Sequence, residues 1–168
     1  MATQDLYAVL QKLLGLHRQL LETIRHERQA LISANTGNIQ EAAHAKQALI
    51  ETIRQQEVER LKITGALAIA WKRPLRELTL SNVIIIVQEK DQKTAEQLRS
   101  VYSALTLLIQ RITDQNRDNQ VLVEKSLEHV HSMKKNVLGE SVPRSNTYSA
   151  KGQRSAPQSG ARLISQEV

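Results

Sequence analysis

The sequence predicts an all-α protein, an antiparallel three-helix bundle of coiled-coil type with a long C-terminal helix and a short connecting helix. Three observations predict it. From Asp91 to Leu138 there is neither Pro nor Gly, and alternating steps of four and three residues land on Leu98, Tyr102, Leu105, Ile109, Ile112, Asn116, Asn119, Val123, Ser126, Val130, Met133 and Val137. That spacing keeps one stripe of a helix facing a partner helix. A second run, Leu6 to Leu31, repeats the period. The only aromatic residues are Tyr7, Trp71, Tyr102 and Tyr148, and Phe is absent, so the core has to be aliphatic.

Taken in order, the first helix is expected from about Gln4 to Ser33, where the same walk meets Leu6, Leu10, Leu13, His17, Leu20, Ile24, Glu27 and Leu31. Gly15 inside it costs about 1 kcal/mol relative to Ala and suggests close approach of another helix. Ala34 to Gly37 reads as a turn. Asn38 followed by Glu41 reads as an N-cap with its capping-box partner. So short a connection sends the second helix back antiparallel to the first. It carries Ile39, Ala42, Lys46, Leu49, Ile53, Gln56 and Arg60 on the walk, and its pattern fades between Gly65 and Trp71.

Pro74 bars a helix interior between Lys72 and Ser81 and pushes Arg73 toward an extended conformation. Val83 to Val87 is β-branched throughout, so propensity alone reads it as a strand. No second strand candidate exists to pair with it, and a lone strand is not stable. The run is therefore read as a short helix capped by Thr79 or Ser81 and reaching Glu89. Asp91 or Thr94 then starts the long helix, about 70 Å at 1.5 Å per residue. Val101, Leu108, Leu122 and Leu127 lie beside its seam and give it more apolar surface than one partner needs.

After Leu138 the composition changes. From Gly139 to Val168, 11 of 30 residues are Ser, Gly or Pro, too little apolar material to offset the entropy of ordering. The domain reading is a helical body over residues 1–138 and a flexible, basic tail over 139–168.

Composition also narrows function. Without Cys there are no disulfides, thiolate metal sites or cysteine nucleophiles. The N-terminus lacks the order of a signal peptide, and no apolar run approaches the roughly 18 residues of a membrane span, so a cytoplasmic protein without stable membrane insertion is expected. The net charge of +6 invites a nucleic-acid partner. Acids and bases alternate along every helix, however, and the one local basic cluster is Lys72, Arg73 and Arg76, which a solvated surface explains better. His129 and His131 are two apart and so point to different sides of a helix, which is wrong for a metal pair. No Gly-rich phosphate loop, GxSxG or Walker pattern is present, so no catalytic residue is assigned. Asn116 and Asn119 fall on the seam among aliphatic neighbours. Either they set register or partner choice, or the seam faces solvent there.

From its Asn116-Arg117-Asp118-Asn119 segment outward, the chain resembles the FlgN family of flagellar export chaperones. The likeness is carried by the Leu-rich run from Leu16 to Glu22, Lys46, Leu49 and Ile50 after the short turn, and Thr79-Leu80 opening the third section. The NxxN segment followed by Leu122 and Val123, and Tyr148 to Gly152 as Tyr-x-x-x-Gly, complete it. The match spans Leu6 to Gly152; the tail beyond has no counterpart, and the β-branched Ile84 to Val87 run is unusually rich.

The resemblance implies a cytoplasmic chaperone of the flagellar type III export system. Such proteins bind the C-terminal helical segments of the hook-filament junction proteins FlgK and FlgL and deliver them to the export gate FlhA. Neither metal nor nucleotide is implied. Excess apolar width places the expected client-binding residues at Asn116, Asn119, Leu122, Val123, Leu127, Val130 and Met133. Tyr148, matched to the family's tail tyrosine, is the expected gate contact. A self-associating coiled coil, with the same seams making a homodimer, is the alternative; a basic nucleic-acid binder is the lesser one.

Overall fold

The computed structural model describes residues 2–137. Tyr148 and the change of composition after Leu138 lie outside them. The described residues contain α1 (Ala2–Ile32), α2 (Thr36–Trp71), a single 3-10 turn (Leu75–Glu77), α3 (Leu80–Gln88) and α4 (Gln92–Val137), and no strand. The chain divides into two compact units, Met1–Ser126 and Leu127–Val168, with the boundary inside α4.

Helix directions follow from side-chain pairings. Lys46 of α2 is ion-paired with Glu27 of α1, which sets the hairpin antiparallel. Gln4 donates to Thr94 at 2.9 Å, and Asn119 donates to the Ile24 carbonyl at 3.0 Å. Residue numbers rise together along both helices, so α4 runs parallel to α1 and antiparallel to α2.

The core between them is aliphatic, as composition demanded. Leu6, Leu10 and Leu13 of α1, Val83 of α3 and Leu98 of α4 are sealed from solvent. They belong to one cluster with Leu67, Ala68, Leu78, Val101 and Leu105, against which the half-buried Trp71 packs. Leu20, Leu21, Ile24 and Ile112 form a second cluster further along. Burying such a side chain is worth about 1.5–3 kcal/mol.

Both turns after α1 and α2 are built alike. Ala34 and Lys72 have φ of 51°, the left-handed region. Asn35 N donates to the Ala30 carbonyl and Ala34 N to Leu31, while Arg73 N donates to Ala68 and Lys72 N to Ile69. These are two Schellman ends, each with a side chain where Gly is favoured. The extended Asn35 that follows Ala34 accepts Asn38 N on its side chain at 3.1 Å and so caps α2. The capping box expected at Asn38 and Glu41 is therefore not used. The Schellman end brings Asn35 into cap geometry three residues earlier, and Asn38 already lies in the first turn.

Two other expectations are settled by packing. Val83 to Val87 is helical, with Thr79 rather than Ser81 as cap, and Val83, Ile84 and Val87 turn inward. Gly15 marks no close approach, since a Cβ there would meet nothing within 4 Å.

Because Ala34 holds a left-handed conformation that disfavours L side chains, Ala34→Gly is expected to raise stability by up to about 1 kcal/mol. Asn35→Ala should lower it by about 1 kcal/mol. Urea denaturation followed by circular dichroism checks both signs.

Candidate functional site

The stripe that α4 presents to α1 is rotated slightly from the one expected. Leu98, Leu105, Ile112 and Asn119 are buried as read, but the partners that complete the seam are Val101, which is buried, and Leu108, Gln115 and Leu122, which are half-buried. Tyr102, Ile109, Asn116 and Val123 face out instead, with the three hydrophobic ones 38% to 48% exposed. These four recur every seventh residue. The surplus apolar surface of α4 is thus a row of its own along the outside of the helix.

Among the expected site residues Leu122 is half-buried and Asn119 is fully buried, only 3% exposed. Its Nδ2 donates to the Ile24 carbonyl and to Glu27 Oε2, both at 3.0 Å. Glu27 in turn holds Lys46, so one carboxylate joins α1, α2 and α4. Arg28 approaches Asp118 at 3.8 Å. Asn119 Oδ1 and Arg28 Nη1 are buried without a hydrogen-bond partner among the described residues. A buried amide that is only half satisfied adds little stability but penalises every other register, since a shift would bury it without any partner. The two asparagines therefore take different branches of the alternative: Asn119 sets register, whereas Asn116 is exposed.

At the other end of the pairing, Thr94 Oγ1 donates to Asp91 Oδ2 at 2.6 Å and Thr94 N to Asp91 Oδ1 at 3.1 Å. Asp91 caps α4. The Thr94 hydroxyl above all, then its backbone N–H, holds the Asp91 carboxyl below the usual carboxylate range. Buried Thr94 also accepts from Gln4, so α4 is clasped to α1 at two polar points with aliphatic contact between them.

The remaining expected residues lie in the last described stretch of α4. Leu127, Val130 and Met133 are each more than half exposed.

A second apolar surface was not singled out in the sequence. Glu57, Arg60, Leu61 and Thr64 of α2 face Tyr102, Leu105, Thr106 and Ile109 of α4 across an open groove of about 450 Å³. Leu10 helps line it, with Leu75, Arg76, Leu78, Thr79 and Leu80 contributed by the link between α2 and α3. The available signal was the i, i+3, i+4, i+7 spacing shared by both walls, which reads equally well as two buried seams.

Among the described residues, no group of three or more His, Asp or Glu side chains could hold a metal ion, and no helix is long and apolar enough to cross a membrane. Fold and exposed seams together define a helical bundle with apolar helix faces left open among the described residues. The family model described as FlgN protein matches residues 1–156, and the chain belongs to that family, whose members are flagellar export chaperones and not enzymes. No curated protein and no solved structure matches the chain.

Asn119→Leu should cost no more than about 1 kcal/mol, because the Ile24 carbonyl keeps its intrahelical donor and Glu27 keeps Lys46. Thermal melting checks this. Asn116→Leu, at an exposed position, should leave the melting temperature within about a degree or two.

Proposed function

We propose that the chain acts in the cytoplasm as an export chaperone for the hook-filament junction proteins FlgK and FlgL, capturing their C-terminal helical segments and delivering them to the export gate FlhA. The observation that carries this reading is the apolar surface of α4 left uncovered among the described residues. An amphipathic client helix laid on it gains the burial that α4 lacks, at about 25 cal/mol per Å² of apolar surface removed from water. Capture hides the client's own apolar stripe, which keeps it from assembling early.

In this proposal the contacts come from Asn116, Leu122 and Val123, and from Leu127, Val130 and Met133 further along the helix. Asn119, committed to α1, serves by fixing which face α4 turns outward. Tyr148 contacts the gate; a lone aromatic in a Ser/Gly-rich segment has little structural use, which favours a docking role. No cofactor, nucleic acid or membrane insertion enters the scheme.

The self-associating alternative is favoured by the same heptad row. Light scattering separates the two, since an oligomer that buries the row would leave no surface for a client, whereas a weak homodimer that yields to the client fits the proposal.

Two outcomes are expected. Val123→Asp with Leu127→Asp, both at exposed positions, should abolish retention of tagged FlgK or FlgL in a pull-down while the circular dichroism spectrum is preserved, and undiminished capture defeats the assignment. Tyr148→Ala should leave client capture intact and reduce junction-protein export several-fold; normal export removes the gate role.

A further inference from the structure

The groove between α2 and α4 is a second apolar surface. Glu57, Arg60, Leu61 and Thr64 on one wall, and Tyr102, Leu105, Thr106 and Ile109 on the other, are each spaced i, i+3, i+4, i+7. That is the spacing by which helices present themselves to a further helix. The polar members are already occupied. Arg60 and Glu57 pair at 2.9 Å, and the Thr64 and Thr106 hydroxyls donate to the carbonyls of Arg60 and Tyr102 in their own helices. What the groove offers outward is therefore apolar, with Leu61, Leu75 and Ile109 each about half exposed.

One end of the groove is charged. Arg76 lines it, on the same link as Lys72 and Arg73, and all three are exposed and form no ion pair with described residues. A helix brings negative potential at its C-terminus, where its last carbonyls are unpaired. We propose that this groove takes an amphipathic helix of another protein, seated with an acidic C-terminal end against Lys72, Arg73 and Arg76. The chain's own C-terminal segment is the wrong charge for that end, with Arg144, Lys151, Arg154 and Arg162 against Glu140 and Glu167. The site uses neither Val123 nor Leu127, so it stands or falls apart from client capture on the distal part of α4.

The test uses the full chain and two dye-labelled amphipathic peptides with the same leucine stripe, one with a block of glutamates at its C-terminal end and one with the block at its N-terminal end. Fluorescence anisotropy at low salt should show the first binding at least tenfold more tightly, with the advantage shrinking as salt is added. Leu61→Asp with Ile109→Asp should weaken that binding at least tenfold with an unchanged melting curve, both positions being half exposed in the free chain. Arg73→Glu with Arg76→Glu should erase or reverse the preference between the peptides. Equal binding of the two peptides, binding of neither, or indifference to Leu61→Asp with Ile109→Asp overturns the proposal. So does a chain that self-associates through this face, shown by a dimer that the same pair of substitutions dissolves.

Discussion

The first unit depends on the aliphatic cluster that α1 shares with α2, α3 and α4, in which α1 and α2 lie closest and α4 runs parallel to α1. Leu98, 0% exposed, sits in one aliphatic cluster with Leu6, Leu10 and Leu13. Aliphatic contact of this kind is strong but indifferent to sliding, because one leucine fills another's place at small cost. The two clasps, Gln4 with Thr94 and Asn119 with Ile24 and Glu27, remove that freedom. Hydrophobic burial holds the helices together, and the hydrogen bonds decide where.

Fixing the register also fixes what is left over. With Val101 turned toward the core, Tyr102, Ile109 and Val123 must face outward. The helices are used unequally. α1 buries residues along its whole length, while α2, at 36 residues, buries only Ala42, Thr64, Leu67 and Ala68. An incompletely covered bundle suits a member of a chaperone family, since the cluster shared by α1, α2, α3 and α4 holds the fold without those outer faces.

Much of this architecture was legible in the sequence, and the failures have identifiable causes. The four-three period gave the long helices, and the short helix at Val83 followed instead from the absence of any pairing partner, which outweighed β-branched propensity. The period could not decide which side of Leu98 to bury. Val101 and Tyr102, or Leu108 and Ile109, are both apolar pairs, and only the position of α1 chooses between them. A Tyr at the boundary can keep its hydroxyl in water, which in hindsight favours Tyr102 as the outward member. The cap at Asn35 was hidden because Ala34 adopts a conformation expected of Gly. The role of Asn119 is ambiguous in the sequence for a related reason: whether a seam asparagine is buried depends on a partner 95 residues away. The groove beside α2 escaped notice because two seams facing each other and two seams facing a gap have the same pattern.

Trp71 gives the molecule a practical asset. It is the sole indole in the chain, placed in the last turn of α2 next to the basic link and half shielded by the main cluster. Indole emission follows the polarity around it, so ultraviolet fluorescence from the unmodified protein reports on this single neighbourhood. A blue or red displacement of that band during refolding would time the closing of the α2 to α3 corner without any added dye.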